Sequence, residues 1–536
     1  MKLNNIKTYA AVLILSLGLT SCLDDLDQTP LDPNSSTELD VFANEQSAKS
    51  ALAKLYAAFA LTGQEGPAGQ PDIIGIDEGT SQFTRMHYTH QVLTTDEAVV
   101  GWGDPGLPDF HAMSWGAGND FVTGLWFRLA QEVSFTNSFI DKASQLDTEE
   151  VQHFIAEARF LRAYAYSVLL DIYGDVPIVT EVSADLPSQN SRVEVFNFVE
   201  SELLDLMNNL KEPGTNEYGR VDKAAAWSLL SRIYLNAEVY TGTARYTDAV
   251  TYSEMVINTS YQINMNDANG NGTAYDELFL ADNDTNGAQN EFIFPVLFDG
   301  IHSRTFGGTT FLIHGATGGD MDPEALGING GWDGMRTTKA LVNKFQASQF
   351  NDDGEPIAWT DRRAMFYTEG HSYEINVIPN SFQDGYAVVK FSNMQSNGTR
   401  GSDDVYADTD LALIRLAEIH LNYAEAVLRG GGGDMGTAVN LVNELRTRAF
   451  GGNSGNINAS SLTLDFILDE RARELYWEGF RRTDLIRYGL FTTGSYLWPF
   501  KGNVPTGSSV PAYRNIFPIP TNAMTSNPNY VQNPGY

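Results

Sequence analysis

Two kinds of side chain in this sequence could act on a ligand: clustered carboxylates and loop-borne aromatic rings. The segment "ERARELYWEG" carries Glu470, Glu474 and Glu478 at four-residue spacing, on one face of a helix. Paired carboxylates are what a glycosidase uses as acid and base. Arg471, Arg473, Arg481, Arg482 and Arg487 crowd the same stretch, and charges so interleaved predict a helix-packing salt-bridge network instead. Asp282, Asp284 and Asn286 in "ADNDTNGAQNE" offer oxygens at alternate positions, like the start of a calcium loop. They lack the closing Glu of that motif, so a solvated Asx-rich turn reads equally well. "HYTH" sets His87 and His90 three apart, with His111 as the only nearby third ligand and no HExxH. No GxSxG elbow is present, and the glycine runs near 308 and 431 lack the Lys-Ser/Thr of a phosphate loop.

Trp102 poses a different question. In "EAVVGWGDPGLPDF" it lies between Gly101 and Gly103, ahead of Pro105, Gly106 and Pro108. Such chain breakers exclude a regular helix or strand and leave a large apolar ring in a loop.

The elements that must position these residues are helical. In "DTEEVQHFIAEARFLRAYAYSVLLDIYGDVP", Asp147 and Glu150 form a capping-box pattern. Val151, Ile155, Ala158, Leu161, Ala165, Val168 and Ile172 then make one buried face, until Gly174 and Pro177 stop the helix. Similar periodicity predicts helices at about 194–210, 221–240, 245–257, 410–429, 434–449 and 463–478. In the clearest pair, Gly430 to Gly433 break the chain and Asp434 caps the second helix. A pair of this length has about the 34-residue size of a tetratricopeptide unit. The fold class is therefore all-α: tetratricopeptide-like helical hairpins forming a scaffold, without the regular Trp and Gly positions of a true repeat array.

Two long Gly-, Asn- and Asp-rich insertions interrupt the helices, at about 62–119 and 259–334. The first holds Phe83, Tyr88, Trp102, Phe110 and Trp115, and the second Phe298, Phe306, Phe311 and Trp332. Loops of this length inside a helical protein usually carry function.

Of 536 residues, 34 are Lys or Arg and 68 are Asp or Glu, a net charge of -34. Such a surface repels phosphate backbones and excludes nucleic acid as a partner. The one cysteine, Cys22, excludes an internal disulfide, a cysteine-rich zinc site and an iron–sulfur cluster. Basic Lys2 and Lys7, the apolar run "AAVLILSLGL" and "TSC" predict a signal peptide over 1–21. The alternative to lipidation is ordinary secretory cleavage leaving a free thiol. Residues 22–43 read as a tether and 44–536 as a single helical domain.

"GLTSC" resembles a bacterial lipobox, which makes Cys22 the lipidated first residue of the mature protein. "LDDLD" after it resembles the surface-export signal of Bacteroidetes lipoproteins. "EARFLRAYAYSVLLDIYGDVPIV", "RLAEIHLNYAEAVLRGG", "RARELYWEGFRRTDLIRYG" and the C-terminal "FPIPTNAMTSNPNYVQNPGY" resemble the hallmark segments of SusD/RagB glycan-binding lipoproteins. The resemblance runs from the lipobox to Tyr536. It implies a tetratricopeptide-like scaffold with the ligand site on loop insertions. It further implies an outer-membrane, lipid-anchored, outward-facing position and partnership with a TonB-dependent transporter.

A closer resemblance, to the starch-binding founder of that family, assigns residues. "DEGTSQFTR" matches its site through Asp77 and Arg85, "VVGWGD" through Trp102, "RTFGGTTF" through Phe306 at a Tyr position, and "INGGWDG" through Trp332. An Asn after the first Trp has no counterpart in "GDPGLPD", where Asp104 or Asp109 is the candidate substitute. The implied ligands are starch or malto-oligosaccharides, bound without catalysis, and the resemblance favours structural calcium near Asp282. A glucose ring needs flat apolar platforms on its faces and donors and acceptors at its rim. Trp102, Phe306 and Trp332 would be the platforms, and Arg85 and Asp77 the rim groups. At about 0.5–1.5 kcal/mol per ring, three platforms predict micromolar to millimolar dissociation. A different glycan or a peptide is the alternative ligand within the same family, and a secreted glycosidase is the reading from another class.

Overall fold

The computed structural model describes residues 41–73, 75–378 and 381–536. Cys22, the signal segment and most of the tether lie outside the described residues. The helices of seven or more residues are numbered α1 to α12 here. They are α1 (Glu45–Ala60), α2 (Phe83–Gln91), α3 (Asp120–Ala143), α4 (Glu149–Ile172), α5 (Arg192–Leu206) and α6 (Lys223–Leu235). They continue with α7 (Tyr246–Ile257), α8 (Gly308–Gly315), α9 (Leu416–Leu428), α10 (Met435–Phe450), α11 (Leu464–Leu475) and α12 (Arg481–Arg487). Strands among the described residues are short and pair only in twos.

Side-chain caps set the starts of the helices. Asn119 accepts from the amides of Phe121 and Val122 at α3, Ser191 and Glu194 form a capping box at α5, and Asp434 accepts from Thr437 N at α10. At α4 the cap is Thr148, not Asp147, with its side chain accepting from Val151 N. Both residues are competent caps one position apart, and backbone geometry chose the second. Helix pairs α3–α4, α6–α7 and α9–α10 pack as hairpins, and α9 also packs on α7 and α11. The result is the all-α scaffold of hairpins.

Two differences from the periodicity have physical causes. Residues Leu411–Arg415 form a strand antiparallel to Phe292–Val296, and α9 begins only at Leu416. All ten residues of that ladder are buried, and a fully apolar run cannot tell strand from helix by its period. The insertions also contain helices. α2 buries residues on nearly every side, including Thr84, Met86, Tyr88, Thr89 and His90; it therefore has no apolar stripe to show. α8 is likewise buried along its whole length.

Candidate functional site

Three local devices bring the two insertions together. Val99–Val100 pairs antiparallel with Met335–Arg336, and Gly101 N donates to Gly334 O at 2.8 Å. This short ladder sets Trp102 beside Trp332. Gln82 caps α2 through Arg85 N, accepts from Gly308 N at the start of α8, and donates to Phe59 O on α1. One amide side chain thus ties both insertions to the scaffold. Finally, the backbone around Trp332 lies against the end of α8: Trp332 N donates to His314 O and Gly334 N to Gly315 O. A side chain on Gly331 would overlap Thr317 O, and one on Gly334 would overlap the Trp102 indole, so "NGGWDG" needs those glycines for close approach.

The rings meet in sequence. Trp102 and Trp332 have centroids 6.4 Å apart with planes inclined by 49°, and Phe306 follows Trp332 at 6.3 Å and 59°. Trp102 Nε1 donates to Trp332 O at 2.9 Å. Beneath Trp332, His314 stacks at 4.8 Å with its Nδ1 2.6 Å from Gly330 O and its Nε2 3.0 Å from Val405 O. Burial lowers the His314 pKa, opposed by those two carbonyls. Trp102, Phe306 and Trp332 are half-buried, whereas Phe83, Tyr88, Phe110, Trp115, Phe298 and Phe311 of the same insertions are core residues. Only the first three keep ring surface for a ligand.

Arg85 joins the arc from α2. Its Nη1 donates to Gly79 O at 2.5 Å and to Phe306 O at 3.3 Å, and its guanidinium lies 5.7 Å from the Trp102 ring and 4.5 Å from Phe311. Burial pulls its pKa down to about 10, opposed by the charges of Asp104 and Asp77; it stays a cation at neutral pH. Nε and Nη2 have no hydrogen bond among the described residues, leaving two donors of the fork. Asp77 is exposed and its Oδ1 accepts from Gly79 N at 2.9 Å, which leaves lone pairs outward. In the departing "DPGLPD", Asp109 is committed to Asn119 and Ser114. Asp104 is exposed, and its carboxylate accepts no hydrogen bond among the described residues. The five expected residues therefore converge, with Asp104 beside them.

The carboxylate-rich stretch is engaged elsewhere. Arg363 donates to Glu470 and Glu474; Arg415 to Glu291, Glu474 and Glu478; Arg448 to Glu291 and Glu474; and Lys390 to Glu478. All of these residues are buried. Guanidinium neighbours overcome burial and hold Glu470 down at about 2, with Glu474 lower still. A carboxylate held ionised in a sealed lattice cannot serve as a general acid.

The oxygen-rich loop is more divided. Asp282 accepts from Ser396 N and Oγ, Asn286 donates to Glu277, and Asp284 is exposed and, among the described residues, accepts only from Thr285 Oγ1. Beside them lies "DANGNG", with Asp267, Asn269, Asn271 and Gly272 in the first six positions of a calcium loop. Asn269 and Asn271 both donate to Asp276 Oδ2, while the buried Asp276 Oδ1 has no partner. Burial raises Glu277 to about 7, with Asp276 and Asp282 adding to the rise. An orphaned carboxylate oxygen beside a second buried carboxylate fits a cation with oxygen ligands. Counting His, Cys, Asp and Glu alone, no group of three or more among the described residues could hold a metal; the fit depends on the Asn side chains.

Comparison with known proteins decides the family. Residues 359–536 match the SusD family, and residues 79–235 match a family described as starch-binding and associating with the outer membrane. The starch-binding protein SusD of Bacteroides thetaiotaomicron is 35% identical over 98% of both chains. The chain belongs to the SusD family. A SusD-like protein of Bacteroides ovatus is 24% identical over 71% of this chain and 68% of its own. Among solved structures, a SusD-like carbohydrate-binding protein of Bacteroides fragilis superposes with a TM-score of 0.70 at 18% identity, covering 91% of this chain and 99% of its own. Surface glycan-binding protein A of Bacteroides fluxus gives 0.68 at 21%, covering 92% and 100%. No described helix is long and apolar enough to cross a membrane.

Proposed function

We propose that this SusD-family chain binds starch and malto-oligosaccharides at the cell surface without cleaving them. The observation that carries this reading is the run of three half-exposed rings with Arg85 donors at its edge. Successive planes inclined by 49° and 59° suit a glycan that curves along its chain, as α-1,4-glucan does, and not a flat β-linked ribbon. The 35% identity to a starch-binding protein supports the same ligand. Stacking worth about 0.5–1.5 kcal/mol per ring gives modest affinity, suited to capture and release. Release would feed a TonB-dependent outer-membrane transporter, with Cys22 lipidated and the protein outside the outer membrane. Titration with maltoheptaose should change tryptophan fluorescence and yield no shorter sugars. Sugar release would restore the glycosidase, and no change with any α-glucan would sink the reading. A preference for another neutral glycan has one observation in its favour, the changed "DPGLPD" beside Arg85.

Calcium belongs to the same proposal as a structural ion. Asp276 and Glu277 would hold it with Asn269 and Asn271, bordered by Asp282 and Asn286 of the expected set Asp282, Asp284 and Asn286. Bound there, it would neutralise the paired carboxylates and brace the second insertion. Calcium should raise the melting temperature of wild type and not of Asp276→Asn; equal shifts would remove the ion from this loop.

A further inference from the structure

The run of rings does not stop at Phe306. Tyr406 stands 5.4 Å from it, inclined by 49°, the next ring in the sequence of contacts. It comes from "SDDVYAD", a segment outside both insertions. Its ring is half-buried and its hydroxyl has no hydrogen bond among the described residues. The exposed Arg304 guanidinium lies 5.7 Å from the Tyr406 ring and forms no ion pair there.

The loop that presents Tyr406 is braced at every turn. Asp403 Oδ1 accepts from Val405 N and Tyr406 N, Asp408 accepts from Ser402 and Gly300, and Ala407 N donates to Thr310 Oγ1 on α8. Val405 O meets the same His314 that stacks beneath Trp332. A rigid loop holding a partly exposed aromatic with an unbonded hydroxyl is preorganised for a ligand, since little side-chain freedom remains to be lost.

We propose that Tyr406 and Arg304 form a fourth, outer subsite that extends the site toward longer α-glucans. This rests on the proposed glycan-binding reading. Tyr406 would supply a stacking face and a hydroxyl, which Phe306 lacks, and Arg304 a forked donor for sugar hydroxyls. With one sugar per ring, a trisaccharide would occupy the inner three rings and only a longer chain would reach Tyr406.

The test is titration of wild type, Tyr406→Ala, Tyr406→Phe and Trp332→Ala with maltotriose and maltoheptaose. Tyr406→Ala should weaken maltoheptaose about threefold to tenfold and leave maltotriose unchanged. Tyr406→Phe should fall between it and wild type for maltoheptaose. Trp332→Ala should weaken both sugars. If Tyr406→Ala changes neither sugar, or both equally, while Trp332→Ala weakens both, the arc has three rings and the outer subsite is overturned. If Trp332→Ala changes neither sugar, the glycan-binding reading itself has failed, and the subsite with it.

Discussion

The aromatic arc and the carboxylate lattice are opposites in how they use their chemistry. Glu470, Glu474 and Glu478 look reactive in sequence, yet each is buried and paired with Arg363, Arg415 or Lys390. Trp102, Phe306 and Trp332 carry no titratable group, yet they are half-exposed and backed by rigid glycine turns. A charge already satisfied has little left for a ligand, while an aromatic face held in solvent does. The two regions meet at Glu97, where "EAVVGW" begins: its carboxylate accepts from Trp477 N, and its carbonyl from Thr337 Oγ1 and Trp477 Nε1.

The contrast can be broken first at its strongest point. Arg415→Ala takes one guanidinium from the buried Glu291, Glu474 and Glu478 and leaves Arg363, Arg448 and Lys390 as their remaining cations, and should cost about 3–5 kcal/mol of stability. Urea unfolding reads this loss, and the folded fraction should still bind maltoheptaose like wild type. A loss of binding at unchanged stability would merge the two regions into one site.

Glu97 sharpens the contrast from the junction. Burial is the main cause that raises its pKa from 4.5 to about 8. The folded state then keeps a proton that the unfolded chain has already released. Raising the pH from 4.5 towards 8 should therefore remove stability from wild type, and Glu97→Gln should lack that slope. Unfolding midpoints across this window check it; parallel curves would mean that Glu97 is ionised in the fold.

Much of this was legible in the residues themselves. Periodicity located α4, α6, α7, α9 and α10, because apolar residues recur in each at three- and four-residue steps between clear start and stop residues. It extended helix into Leu411–Arg415 and missed α2, because residues buried on all sides leave no period to read. Trp102 stood out through its glycines and prolines, and the salt-bridge role of Glu470, Glu474 and Glu478 through the interleaved arginines. Asp267, Asn269 and Asn271 have the spacing of a calcium-loop start but are set apart from the 281–291 run by the stretch that contains Asp276 and Glu277, so only the fold brings them together. Tyr406 had no local signal at all: its place beside Phe306 depends on a contact between residues 100 positions apart.

The central claim is that the ring arc, and not the carboxylate lattice, makes the ligand site. Affinity electrophoresis of wild type and the Trp102→Ala, Trp332→Ala double variant through gels containing starch or a β-linked glucan tests it most directly. Wild type should be retarded by starch alone, and the double variant should migrate as it does without polysaccharide. Equal retardation of both proteins by starch would contradict the account.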